Sequence, residues 1–169
     1  LPSVHLRYAA ADRSARQLAQ WAQTRPEFAQ VLHPALPSSP GHANWQALCG
    51  AADARGTGET ISSAGETISS TGETISSTGA AASLFSVMLD ARYSAAQVDA
   101  FCDALRLFRL GYSWGGPISL VVPYTISEMR ALPVDSSGLK PGHLVRFAVG
   151  LENTADLQAD LAQALQALR

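Results

Sequence analysis

An arginine sits inside an apolar run, Leu144-Val145-Arg146-Phe147-Ala148-Val149. Side chains alternate between two faces along a strand, so Val145, Phe147 and Val149 share one face, and Leu144, Arg146 and Ala148 the other. A charge on such a segment must reach water or meet an anion. The planar guanidinium fits a carboxylate through two parallel hydrogen bonds. Arg146 is thus a candidate anion clamp, and its other reading is a solvated residue on an open sheet face. The second group is Tyr112-Ser113-Trp114-Gly115-Gly116. Its glycines permit backbone angles and close approaches that other residues resist, and the indole N–H of Trp114 needs a partner when buried. Two readings stand for this stretch: a tight turn whose aromatics rest on the core, or the wall of a site. Gly150-Leu151-Glu152-Asn153 closes the strand and opens the last helix, and it reads as architecture.

These residues need a frame. Leu1, Val4, Tyr8, Ala11, Ala15, Leu18 and Ala22 recur at three- and four-residue spacing, which predicts one long helix over residues 1–23. Thr24-Arg25-Pro26 ends it, because the residue before a proline avoids helix. A short strand is predicted over Phe28–Leu32, a proline-rich loop over 33–42 and a short helix over Asn44–Cys49, stopped by Gly50. Leu84–Leu89 reads as a buried strand. Ser94 caps a helix to about Leu105, with Ala95, Val98, Phe101, Cys102 and Leu105 on one face. Further strands are predicted over Leu107–Leu110, Ile118–Val122 (interrupted by Pro123) and Leu144–Val149. Asn153 or Thr154 then caps a helix striped by Leu157, Leu161, Leu165 and Leu168. The order α-β-α-β-α-β-β-β-α implies an α+β fold, with a short, mostly antiparallel sheet covered by helices.

One stretch breaks the pattern. Residues 58–78 are three heptapeptides, GETISSA, GETISST and GETISST. One isoleucine per copy, beside a glycine and two serines, excludes a coiled coil and is too little for a solenoid. The expectation is a polar low-complexity loop, exposed and without a core role, whose deletion leaves the thermal midpoint unchanged or higher.

The 169 residues suit one domain, or one domain with an appendage. A content of 47% hydrophobic and 15% charged residues permits a real core. The net charge of −2 gives no reason to expect a nucleic acid or a membrane as partner. No run approaches a membrane span and no signal peptide is visible. Cys49 and Cys102 lack metal-ligand spacing and read as free thiols of a reducing, cytoplasmic compartment. Lys140 is the single lysine beside eleven arginines. The chain opens on Leu1 in what reads as mid-domain helix, which suggests a fragment.

"GYSWGGPISLVVPY" and "LVRFAVGLENTADLQADLAQAL", preceded by "VLHPALPSSPGHANW" and "SLFSVMLD", resemble the C-terminal domain of the pyridoxal-phosphate-dependent Cys/Met-metabolism enzymes. The motifs fall in the same order, and the likeness spans nearly the whole chain outside residues 57–79. The Tyr-Ser-Trp-Gly-Gly form points to the cystathionine beta-lyase branch, since the gamma branches usually carry no tryptophan there. Pro117-Ile118-Ser119-Leu120 departs from the family's usual Glu-Ser-Leu after the glycines.

The resemblance implies a fold like the C-terminal small domain of fold-type I enzymes of this cofactor. Residues 1–24 would be a linking helix, and 25–169 the α+β domain with the repeats inserted at 57–79. It implies that Arg146 binds the substrate carboxylate, with Trp114 lining that pocket, Tyr112 as an aromatic wall residue, and Ser113 beside the catalytic lysine and cofactor. The reaction implied is α,β-elimination of cystathionine to homocysteine, pyruvate and ammonia, within trans-sulfuration and methionine biosynthesis. The partner is a small amino-acid substrate and the family assembly a homotetramer. The cofactor is pyridoxal 5'-phosphate, and the motifs that hold it are absent from this sequence. Lys140, in the loop "SSGLKPGH", is not expected to replace the cofactor lysine, so this chain alone is expected to be inactive and to form no internal aldimine. The alternatives are a truncated, non-catalytic remnant or interaction module, a gamma-branch enzyme, or a cysteine desulfhydrase.

Overall fold

A strand carrying Val145 and Phe147 on one side and Arg146 on the other must separate a core from an open face, and the sheet does so. The structure is a computed structural model that describes residues 2–50, 73–76, 78–126 and 138–169. Its strands are β1 (Phe28–Leu32), β2 (Leu84–Asp90), β3 (Arg109–Leu110), β4 (Leu120–Tyr124) and β5 (Gly142–Ala148). They form one sheet in the order β1-β2-β5-β4-β3. Neighbours are antiparallel except β3 and β4, which run parallel. The helices are α1 (Val4–Ala22), α2 (His42–Leu48), α3 (Ala95–Ala104) and α4 (Thr154–Ala164), and a 3-10 turn follows over Leu165–Leu168. The α+β architecture read from the sequence is thus present, with a mostly antiparallel sheet.

One face of the sheet meets the helices. Phe85, Val87 and Leu89 of β2, Val121 of β4, and Val145 and Phe147 of β5 form a single cluster with Leu18, Phe101, Leu157 and Leu161 of the helices. Phe147 is its centre: Phe85 stacks on it with ring centroids 5.0 Å apart, and Phe108 meets it edge-on at 5.2 Å. Burying one such side chain stabilises the fold by about 1.5–3 kcal/mol. Cys102 belongs to this core, and burial pushes its thiol up to about 12. That is the behaviour of a small apolar residue, not of a nucleophile.

The elements follow local chemistry. Ser94 and Gln97 form a reciprocal capping box at the start of α3, and the Asn153 side chain accepts the Ala155 N–H at the start of α4. The stripe of α1 divides: Ala15, Leu18 and Ala22 are fully buried, whereas Val4 and Tyr8 remain exposed. Pro123 does not end β4 as expected; the strand continues to Tyr124, with Pro123 opposite Val145. β3 reaches only to Val121, so Pro123 lies on a free edge where its missing N–H costs no ladder bond. The predicted strand 107–110 shrinks to Arg109–Leu110.

His33 is fully buried in the loop after β1. Its Nδ1 accepts the Ala35 N–H at 3.1 Å, which places the ring proton on Nε2. Burial, with the Arg16 charge, lowers its pKa from 6.5 to about 4. The unfolded chain therefore binds the extra proton more readily, and stability present above pH 6.5 is lost as pH falls toward 4. The expected loss by about pH 4.5 is about 2–3 kcal/mol. Thermal midpoints at neutral and acid pH measure it, and the difference should shrink in His33→Gln.

The repeat expectation is corrected at its last copy. Ile75 packs against the core cluster. Main-chain groups of residues 73–76 bond to α1 and to Ala35. Residues 58–72 and 77 lie outside the described residues. A lone apolar residue per heptad is enough when a groove exists for it, which composition does not reveal.

Candidate functional site

Arg146 stands mid-strand in β5, opposite Ser86 of β2 and Val122 of β4. Strand alternation turns it away from Phe147 and the helices. Tyr124, two residues beyond Val122, shares its face. The turn that leaves β3 brings Tyr112, Ser113 and Trp114 to the same place. The Arg146 guanidinium carbon lies 5.7 Å from the Trp114 ring centroid and 5.7 Å from that of Tyr124. Tyr112 meets Tyr124 edge-on at 6.3 Å. Nη2 donates to the Tyr112 carbonyl at 2.9 Å, with the Ser113 carbonyl at 3.5 Å. Cation–π contact of this kind contributes about 0.5–2 kcal/mol, more as water is excluded.

These contacts fix a guanidinium without neutralising it. No carboxylate pairs with Arg146 among the described residues, and its Nε is screened from water and lacks a hydrogen-bond partner. An orphaned donor of this type costs about 1–3 kcal/mol. A two-oxygen acceptor could answer that donor together with a neighbouring Nη.

The two readings of the 112–116 turn differ in where the aromatics go. Leu110, Tyr112, Trp114 and Ile118 each leave more than half of their surface open. The aromatics therefore do not rest on the core; they stand beside Arg146. Sequence separation of more than thirty residues is closed because β4 runs between β3 and β5. Ser113 is exposed in the same turn. Gly115 takes a left-handed φ of +74°, which favours glycine. A Cβ at Gly115 or Gly116 would meet nothing among the described residues, so close approach within this chain does not explain the pair. A cavity of about 120 Å³ adjoins the turn, between Gly115-Gly116, Leu151, Ser83 and the exposed end of α1 at Val4, Arg7 and Tyr8. The glycines line it, and Arg146, Ser113 and Trp114 do not border it.

Glu152, read as plain architecture, and Ser119 together brace this wall. Glu152 accepts the Ser119 N–H and the Ser119 hydroxyl, both at 2.8 Å, and the Ser119 oxygen accepts the Gly150 N–H at 2.8 Å. Leu151 N–H donates to the Pro117 carbonyl at 2.9 Å. A Cβ on Gly150 would fall 2.4 Å from that carbonyl. The end of β5 is thus locked to the chain leaving the Gly-Gly turn. Glu152→Ala strands the N–H of fully buried Ser119, and a stability loss of about 1–3 kcal/mol is expected in denaturant titration. Tyr124 was also missed. Its signal was the aromatic two positions after Val122, on one face of a strand.

Lys140 is exposed and borders a different groove, beside Gln30 and Phe28 of β1; its N–H donates to Gln30 Oε1 at 2.9 Å. It is not part of the Arg146 wall.

The model of the Cys/Met-metabolism PLP-dependent enzymes matches residues 69–166. The chain belongs to that family. It is 34% identical to a cystathionine beta-lyase of Bordetella avium over 95% of this chain and 32% of that protein. It is 32% identical to the cystathionine beta-lyase of Salmonella typhimurium over 89% of this chain and 31% of that one. A cystathionine gamma-synthase of Mycobacterium bovis is 31% identical over 98% of the chain and 34% of its own length. Among solved structures, metB of Corynebacterium glutamicum superposes with a TM-score of 0.64 at 26% identity, covering 99% of this chain and 35% of that one. The chain thus spans about a third of the length of these relatives.

Pyridoxal phosphate is the family's cofactor. The residues present do not fit its covalent attachment: the only lysine of the sequence is Lys140, exposed and away from the Arg146 wall. What this family member offers at the wall is a guanidinium held beside two aromatic rings, with no carboxylate partner among the described residues.

Proposed function

We propose that this chain supplies the substrate-carboxylate clamp of a pyridoxal-phosphate-dependent carbon–sulfur lyase of the cystathionine beta-lyase type. The observation that carries the proposal is the Arg146 guanidinium, held between Trp114 and Tyr124 with no carboxylate partner among the described residues. Arg146 binds the α-carboxylate of the amino-acid substrate. Trp114 and Tyr112 shape the approach to it, and Ser113 lies on the side that faces the reacting centre. The cofactor supplies carbanion stabilisation; this chain's residues bind and orient. Homocysteine, pyruvate and ammonia are the products of the elimination.

Trp114 supports the beta-lyase branch, because an indole over the clamp is unusual in the gamma branches. The gamma-synthase relative supports the second reading, γ-replacement on an activated homoserine. A chimera separates them: this chain replaces the matching third of the Salmonella cystathionine beta-lyase. Pyruvate release from cystathionine is expected. A cofactor-loaded chimera that consumes only activated homoserine would favour the gamma branch, and one that processes neither substrate would remove the clamp assignment.

A further inference from the structure

The heptapeptide repeat has a reader within the same chain. Gln20 of α1 and Gln23, just beyond its end, both donate to the Glu73 carbonyl, at 3.1 and 3.0 Å. Gln20 Oε1 accepts the Ile75 N–H at 2.8 Å. The Ser76 N–H donates to the Ala35 carbonyl at 3.0 Å, and Glu73 Oε2 accepts the Ser38 N–H at 3.0 Å. Arg16, only 7% exposed on α1, donates to the carbonyls of Ser76 and Gly79. Ile75 meets the core. Gly79 follows with φ +77°, where a Cβ would sit 2.8 Å from the Cys49 carbonyl oxygen.

Everything read in this docking is a main-chain group, the Glu73 carboxylate, the Ile75 side chain or a glycine three residues after Ser76. The second copy repeats all of them: Glu66-Thr67-Ile68-Ser69-Ser70-Thr71-Gly72 is identical to Glu73-Thr74-Ile75-Ser76-Ser77-Thr78-Gly79. The first copy, Glu59-Thr60-Ile61-Ser62-Ser63-Ala64-Gly65, differs at one exposed position, since Thr78 is exposed in the third. The groove therefore has no chemical means of telling residue 75 from residue 68.

We propose that Arg16, Gln20, Gln23, Ala35 and Ser38 form a binding site for the Glu-Thr-Ile-Ser sequence, and that the second copy competes with the third for it. The ligand is a peptide of this chain's own repeat. Exchange moves seven residues from one flank of the docked copy to the other, and loop closure changes slowly with length, by about 0.6 kcal/mol per doubling. Tethering keeps the spare copy at an effective concentration on the order of millimolar. A docked segment held this way survives damage to one copy.

The test uses the whole chain. Ile75→Asp is made with all three copies present, and again after deletion of residues 58–71, which leaves one copy. In the one-copy chain the substitution should lower the thermal midpoint by about 4–8 °C, and in the three-copy chain by less than about 2 °C. Replacing Ile61, Ile68 and Ile75 together should reproduce the large fall. Should the one-copy variant fail to fold while the three-copy variant folds, the proposal stands. Added at millimolar concentration, the peptide GETISST should raise the midpoint of a folded one-copy variant, and GETDSST should not. Equal falls in the one-copy and three-copy chains, or failure of both to fold, would overturn the proposal, as would no response to the peptide.

Discussion

Arg146→Lys, made in the chimera with the Salmonella enzyme, lowers kcat/KM for cystathionine by about ten- to a hundredfold and leaves the thermal midpoint nearly unchanged. The expectation rests on geometry. Lysine keeps the positive charge but loses the planar fork, its two parallel donors and its stacking between Trp114 and Tyr124. A hydrogen bond to a charged group is worth about 1.5–3 kcal/mol, and each 1.4 kcal/mol is a factor of about ten. Stability is spared because Arg146 lies on the face away from the core cluster and leaves one donor unmet. The kinetic split is informative: loss shared by kcat and kcat/KM places the contact in the transition state, and a rise in KM alone places it in substrate binding. Turnover and KM like those of the parent chimera would show that Arg146 is a solvated sheet residue.

The periodic parts of this fold were legible in the sequence. Alternation in β5 sorted Val145 and Phe147 from Arg146, and helical spacing found the buried ends of α1, α3 and α4. Local signals set the boundaries where a side chain performs the capping, as Ser94 does. Legibility failed where the answer depends on a neighbour. Whether Pro123 ends a strand depends on how far β3 extends. Whether Ile75 packs on the core depends on Arg16 and Gln20 of α1 and on Gln23 just beyond it. At the site, the sequence singled out Tyr112, Trp114 and Arg146, whose types are unusual for their surroundings. It passed over Glu152 and Ser119, whose roles come from a hydrogen-bond chain spanning 33 residues. The resemblance to a family supplied what spacing could not, namely that a turn and a strand so far apart belong together.

Asp160→Ala should cost the chain more stability than the other single changes described above, about 3–5 kcal/mol. Asp160 lies within α4 between Leu157 and Leu161, on the face turned to the core, and is 5% exposed. Its carboxylate accepts the main-chain N–H groups of Arg106 at 2.9 Å and Leu107 at 2.8 Å, with that of Phe108 at 3.4 Å. Gln163 Nε2 adds a fourth contact at 3.1 Å while also reaching the Ala104 carbonyl at 2.7 Å. One side chain thus satisfies the chain as it leaves α3, where regular structure provides no partners. Alanine would orphan two well-bonded N–H groups at about 1–3 kcal/mol each and leave a gap beside Phe108. Asp160→Asn keeps one accepting oxygen but turns an amide donor toward other donors, so it should recover only part of the loss. The same bonds fix the start of the segment that passes through β3 to Tyr112, so the anchor also sets where the aromatic wall stands. An unfolding free energy for Asp160→Ala within about 1 kcal/mol of the parent, from denaturant titration at unchanged slope, would show that water replaces the carboxylate without cost.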